Sequence, residues 1–361
     1  MVRDPEESHR TATPLELFFD LTFVVAIARA AASLHHELAE GHVADGVAGY
    51  IPTFFAIWWA WMNYTWFASA HDANDVPHRL LTFLQMAGVL VLATGVTSAL
   101  EHDDWLVVTI GYGIMRVPLA AAWLRVARDE PVVRTRCLRY ATGVLVVQVL
   151  WFLRLALPVE LGLLSFAVLA LVELAVPVWA ERAAPEPLFH AEHIEERYGL
   201  LTIIVLGESV LSAVSGFQAA VDEGGLTGDL LAIGVGGLLL AFSAWWVYFD
   251  HPGHLAPTPA VAFSWGYGHV VVFCSLAAVG AGLHVATEAA TGHAPERTAT
   301  WAVAVPTAAY LVGLVLLMRL TGTPLRSPRI VPKLLGVAAL VGLGAFGSVT
   351  VAALGCAVVM V

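Results

Sequence analysis

From Leu335 onward the chain reads LGVAALVGLGAFGSVTVAALGCAVVMV, 27 residues without a single charge. Comparable apolar runs recur along the sequence, separated by short polar stretches. A helix needs about 20 apolar residues to cross roughly 30 Å of hydrocarbon. Without water at that depth, only helices or closed barrels satisfy their own backbone groups. The runs lack the two-residue alternation of barrel strands. The sequence therefore specifies an all-α fold, a polytopic transmembrane helical bundle. Its 13% of charged residues compares with about 25% in soluble domains.

Spans are expected near 15–34, 47–70, 79–100, 105–126, 139–157, 160–180, 197–217, 229–250, 261–286, 299–319 and 333–359, about eleven helices. Pro158 and Glu160 mark a very short break between the fifth and sixth. The first 14 residues, MVRDPEESHRTATP, are polar and do not read as a signal peptide, so the first helix is expected to drive insertion. Orientation follows from the basic residues in the connections. With the N-terminus inside, the inner segments carry Arg3, Arg10, Arg79, Arg125, Arg128, Arg134, Arg136, Arg139, Arg182, Arg197, Arg319, Arg326, Arg329 and Lys333. The outer segments carry only Arg154 and Arg297, a 14-to-2 division. The expected location is the plasma (cytoplasmic) membrane, with a cytoplasmic N-terminus and an extracytoplasmic C-terminus.

The formal net charge of −11 reflects acidic outer loops and identifies no partner. Cys137, Cys274 and Cys356 form no motif and read as small packing residues. No nucleotide-binding motif is present. The expected partners are the lipid bilayer and an ion or small solute, with no nucleic acid and no cofactor. A homo-oligomer is compatible with the sequence.

Two segments align at an offset of 180 residues, ELFFDLTFVVAIA from Glu16 and ERYGLLTIIVLGE from Glu196. Trp58-Trp59 then falls on Trp245-Trp246, Asn63 on Asp250 and Arg79 on His269. Six helices separate the copies, an even number, so both would insert in one direction. That is a parallel internal repeat of six plus five helices, a plan used by some transporters. The expected organisation is a cytoplasmic segment 1–14, a first transmembrane repeat 15–180, a cytoplasmic linker 181–196 and a second repeat 197–361.

ELFFDLTFVVAIA, WWAWMNYTWF and HIEERYGLLTIIVLGES carry a resemblance to the bacterial low temperature requirement protein A family, over essentially the whole chain. The resemblance implies a multi-pass membrane protein, in a family named for a growth phenotype in the cold, and implies no specific biochemical activity. The family commonly has a polar uncharged residue where this chain has Arg29.

Ionisable groups within a membrane are costly, roughly 2.5–3.5 kcal/mol on insertion scales, and mark candidate sites. One set lies near the cytoplasmic helix ends: Glu16 and Asp20, four apart on one helix face, His193, Glu196, Arg197, Arg79, His269, Asn63 and Asp250. These could converge as a polar vestibule, or act as interfacial ion pairs and helix caps. A second set lies near mid-span: Glu208, about 18 Å along its helix from Glu196 at 1.5 Å per residue, with Arg29, Arg116 and Glu173. These read as a gated pathway centred on Glu208, or as static buried pairs fixing helix register. The Trp58, Trp59, Trp61, Trp66 and Trp245, Trp246 clusters read as packing or interface belts. His35, His36 and His42 share an outer end with His284 and Glu288. A metal site there is set aside, because no HExxH is present.

The leading expectation is a transporter or channel-like permease for an ion, proton or small solute. The alternatives are a membrane-embedded enzyme on lipid-type substrates and a non-catalytic membrane scaffold. The enzyme needs His, Asp and Glu converging beside a lateral opening. The scaffold predicts fully paired polar groups and no cavity.

Overall fold

Several helix starts follow directly from local sequence. In Thr13-Pro14-Leu15-Glu16 the Thr13 N–H and hydroxyl both donate to Glu16 Oε2, at 2.8 and 2.9 Å, and the Glu16 N–H returns a bond to Thr13 Oγ1 at 3.3 Å. This is a capping box with proline at the first helical position. Asp75 and Thr227 cap two further helices through their side chains. Asp75 also takes the Arg125 guanidinium, and that contact holds its carboxyl down at about 2.

The computed structural model describes residues 11–71, 74–183, 189–250 and 259–360. It contains α1 (Pro14–Ala39), α2 (Val43–Ala70), α3 (Val76–His102), α4 (Leu106–Asp129), α5 (Arg134–Arg154) and α6 (Gly162–Glu181). These are followed by α7 (Ala191–Gly224), α8 (Gly228–Phe249), α9 (Pro259–Ala290), α10 (Glu296–Leu320), α11 (Val331–Phe346) and α12 (Val349–Met360). A short 3-10 turn, Val159–Leu161, separates α5 from α6. The described residues include no strand.

Among the described residues, nine helices are long and apolar enough to cross a membrane. With 28 residues, α2 is long enough but falls short in hydropathy, because Trp58, Trp59, Trp61, Trp66 and Asn63 dilute it. Trp58, Trp59, Trp61 and Tyr64 are buried, so this helix meets protein where the others meet lipid. Trp245 and Trp246 are exposed, as are Leu163, Leu164 and Leu171 on α6 and Phe242 on α8. Such apolar faces are stable against a bilayer and would promote aggregation in water. The protein is a multi-pass helical membrane protein.

The chain forms two compact units, one of Met1–Ala26 with Ala56–Arg197 and one of Ile27–Phe55 with Tyr198–Val361. In the first, α3 and α4 meet backbone to backbone. A Cβ on Gly88 would lie 2.8 Å from the Gly111 carbonyl oxygen, and one on Gly111 would strike the Leu92 backbone. Small residues allow this approach where helices have no hydrophobic driving force between them. Gly143 on α5 takes the Val176 side chain of α6 in the same way. In the second unit, Gly282 of α9 admits the Ala302 carbonyl of α10. Ser209 of α7 donates to the Leu276 carbonyl of α9 at 2.8 Å.

The expected span 333–359 is not one helix. Gly336 in α11 faces Val359 in α12, where a Cβ would lie 2.9 Å from Val359 Cγ1. Leu343 faces Gly355, at 2.6 Å from the same construction. The two helices are therefore an antiparallel hairpin, turning at Gly347 and Ser348. Its second arm runs beside α8 in the same direction, with Thr350 near Asp229, Ala353 near Gly236 and Ala357 near Ser243. The described residues thus form twelve α-helices, and both ends of this last apolar stretch lie on one side. The count by basic loops missed the turn because it carries no charge and consists only of a glycine and a serine.

Candidate functional site

The densest polar cluster lies in the first unit. Arg197 grips Asp20 with two prongs, Nε to Oδ2 at 3.0 Å and Nη2 to Oδ1 at 2.6 Å. Its Nη1 lies 3.0 Å from Glu16 Oε1, and His193 Nε2 lies 3.1 Å from the same oxygen. The Trp61 indole N–H donates to Asp20 Oδ1 at 2.6 Å, and Arg197 Nη2 reaches Thr65 Oγ1 at 3.4 Å. Glu196 accepts the Ala12 N–H at 2.9 Å. Glu16, Asp20, His193 and Arg197 are each at most 3% exposed. The four-residue spacing of Glu16 and Asp20 sets both carboxylates on one face of α1, and one turn separates His193 from Arg197 on α7. The result is a charge-neutralising clamp joining α1, α2 and the start of α7. Its charges face one another, which suits fixing helix register, with Glu16 Oε1 and Arg197 Nη1 in ion-pair contact but without a well-aligned hydrogen bond.

A second cluster joins α2, α4, α5 and α6. Arg116 Nη2 lies 2.7 Å from Glu173 Oε1 and also donates to the Tyr112 hydroxyl at 2.9 Å. The indole N–H groups of Trp59 and Trp151 donate to Glu173, each at 2.9 Å. Arg116 and Glu173 are both buried.

Arg29 and Glu208 are not brought together. Among the described residues they share no hydrogen bond or ion pair, and Arg29 is exposed while Glu208 is half-buried. The reason is rotational. The buried stripe of α1 runs through Ala26, Ile27, Ala30, Ala31 and Leu34, and Arg29 projects from the other side of the helix. Glu208 sits at the edge of the stripe Leu201, Thr202, Val205, Leu206 and Ser209.

The remaining candidates each have a local setting of their own. Arg79 is exposed and donates to Asn74 Oδ1 at 2.9 Å. Asn63 donates to the Trp59 carbonyl of its own helix at 2.7 Å. Asp250 is the exposed C-cap of α8. His269, in the second unit, is buried among Tyr198, Trp265 and Phe273, and contacts the Tyr248 hydroxyl at 3.1 Å and the Trp265 carbonyl at 2.9 Å. Arg79 and His269, aligned by the repeat, thus occupy unlike environments.

Two further features stand out, the second at the expected outer end where the sequence, lacking HExxH, points to no metal site. The first is an apolar cavity of about 300 Å³ in the second unit, between α7, α8, α9 and α10 with Met360 of α12. Among its wall residues Val214, Leu231, Val235 and Leu238 are also exposed at the protein surface, so the cavity opens sideways. Its hydroxyls are occupied: Ser209 donates to the Val205 and Leu276 carbonyls, Thr287 to His284, Thr307 to Val303 and Tyr310 to Ala244. The second is a cluster of His35, His284 and Glu288, whose ligand-capable atoms all lie within 4.8 Å of one another. The His35–Glu288 separation was invisible because 253 residues divide them.

The sequence matches the family described as bacterial low temperature requirement A protein over residues 11–361. The chain belongs to the bacterial low temperature requirement A family. It is also 26% identical over 274 residues to the uncharacterized protein RA0937 of Rhizobium meliloti (strain 1021), covering 71% of this chain and 65% of that one. The chain thus matches less than two thirds of that relative's length. In this member of the low temperature requirement A family, the three motifs that carry the resemblance converge. ELFFDLT supplies Glu16 and Asp20, WWAWMNYT supplies Trp61 and Thr65, and HIEERYG supplies His193, Glu196 and Arg197. The motifs therefore meet at the buried clamp of the first unit.

Proposed function

We propose that this protein handles a lipid, whose hydrocarbon chain occupies the side-opening cavity of the second unit. One observation carries the reading: every hydroxyl in the wall is already bonded to a backbone carbonyl. Water entering there would meet few polar partners and no free hydroxyl donor, and an ion would find no charged ligand among the wall residues. The cavity holds about 300 Å³. A bilayer offers lipid chains at the opening, and the volume falls at the lower end for ligand pockets. Lipid tails are already in an apolar phase, so affinity arises from shape rather than from the hydrophobic effect.

A permease for an ion or small solute has weaker support. The charges it would use are largely paired, in the Arg197 and Arg116 clusters, and Glu208 is the midplane carboxylate left to serve it. The lipid reading is tested by native mass spectrometry of protein purified in mild detergent. Wild type should carry one lipid per chain. Ala241→Trp, which fills the cavity from α8, should lose it, while Leu164→Trp on the exposed face of α6 should keep it. Equal retention by all three would overturn the reading.

The insertion plan we propose has the N-terminus in the cytoplasm of a cell bounded by this membrane, and a parallel repeat of six plus six helices. It is supported by the 14-to-2 division of basic residues and by recurring neighbours. In the first unit α6 contacts α2 and α4, and in the second α12 packs on α8 and α10. The fold-back of α11 and α12 then returns the C-terminus to the cytoplasm. A reporter fused after Val361 should read cytoplasmic, like one fused beside Pro131. An extracytoplasmic signal would refute the plan.

A further inference from the structure

We propose that His35, His284 and Glu288 form a binding site for a divalent transition-metal ion of the zinc type, at the end of α9 away from its first residue. The ligand set is built from two helices. His284 and Glu288 are four apart on α9 and so project from one face, and α1 brings His35 across. His35 Nε2 lies 3.0 Å from Glu288 Oε1. Two ligands at the tetrahedral angle about a metal, each about 2.1 Å from it, would stand about 3.4 Å apart, so this contact opens by a few tenths of an ångström to admit the ion. The imidazole rings of His35 and His284 stack at 3.8 Å between centroids, inclined by 8°, so their nitrogens lie close without an intervening side chain, and one ring turns out of the stack for both in-plane lone pairs to meet one ion.

The position of His284 is prepared by the backbone. Gly216 of α7 lies directly against its ring, where any Cβ would collide with the imidazole Cδ2 and stand 2.7 Å from the Thr287 hydroxyl. A glycine is required there for the ring to seat. All three ligand residues are half-buried, so the ion has a route from solvent. Two imidazoles and one carboxylate are a known zinc set that leaves a coordination position open, in contrast to closed structural sites with four protein ligands. Imidazole nitrogen also favours zinc, copper or nickel over magnesium and calcium, which prefer all-oxygen shells. Thr287, between the two α9 ligands, belongs to the wall of the apolar cavity, so the site lies at the cavity's edge. The proposal does not depend on what fills that cavity.

The test is calorimetric titration of Zn²⁺ into the full-length protein, after chelator treatment and with any affinity tag removed. Wild type should bind one Zn²⁺ per chain and show an upward shift in thermal midpoint, with no response to Mg²⁺ or Ca²⁺. Loss of a direct ligand should exceed the roughly 10- to 100-fold effect typical of outer-shell partners. His284→Ala and Glu288→Gln are therefore each expected to weaken binding more than about 100-fold. His36→Ala, on the exposed neighbouring face and paired with Glu40, should bind as wild type does. Should His284→Ala fail to fold, the near-isosteric Glu288→Gln decides the matter. Co²⁺ added to wild type provides a second readout, as visible absorption that Glu288→Gln alters. Absence of Zn²⁺ binding by wild type, or undiminished binding by Glu288→Gln, would overturn the proposal.

Discussion

Arg197→Gln is expected to lower stability by about 3–5 kcal/mol, the range for breaking one side of a buried ion pair. The magnitude follows from what remains. Asp20 keeps the Trp61 indole and Glu16 keeps Thr13 and His193, but two buried carboxylates lose the guanidinium that both contact. Lysine is not an adequate substitute, because a single ammonium cannot reproduce the two-pronged grip on Asp20. The double variant Asp20→Asn with Arg197→Gln should recover only part of the loss, since Glu16 still lacks its countercharge. Adding Glu16→Gln should recover more, because a glutamine amide oxygen still accepts from Thr13 and keeps the α1 capping box. Thermal unfolding in detergent of the single, double and triple variants is the measurement. Stability losses that simply add would show that the four groups do not act as a unit.

This clamp was half legible in the sequence. Each member stood out as an ionisable group at a helix end, and the Glu16–Asp20 spacing showed a shared face. What one sequence could not supply was the partner, because Arg197 lies 177 residues from Asp20. The expected mid-span pairing of Arg29 with Glu208 is absent for a reason the sequence did contain. The apolar stripe Ala26, Ile27, Ala30, Ala31 already turned Arg29 outward, whereas depth along the helix was read without its rotation. The last helix pair shows a different limit. Hydropathy counts apolar residues and loops count charges, so an uncharged turn at Gly347 and Ser348 is silent to both. The His35, His284 and Glu288 cluster was named at the correct end but lacked a linear motif, since its ligands come from two distant helices.

Glu173 provides the second large effect, and a cleaner one, because its principal charged partner is Arg116. Glu173→Gln should cost about 3–5 kcal/mol. The two indoles donate to different carboxylate oxygens, each at 2.9 Å, and a glutamine has only one carbonyl oxygen to accept with, so the loss combines the stranded guanidinium with one unpaired indole. Arg116→Met should cost a similar amount for the opposite reason, leaving a buried carboxylate held by two neutral indoles. Methionine has much of the reach of the arginine stem, which limits any cavity contribution. In the double variant no unpaired charge remains, and much of the combined loss should be restored. Neutral replacement of a whole buried pair is often tolerated where breaking it is not. The coupling energy from the cycle, read as thermal stability of the four proteins in one detergent, should therefore be large and of the sign that favours the pair. Near-zero coupling would mean that the 2.7 Å contact does not hold α4 to α6. The register of those helices would then rest on packing and on the two indoles alone.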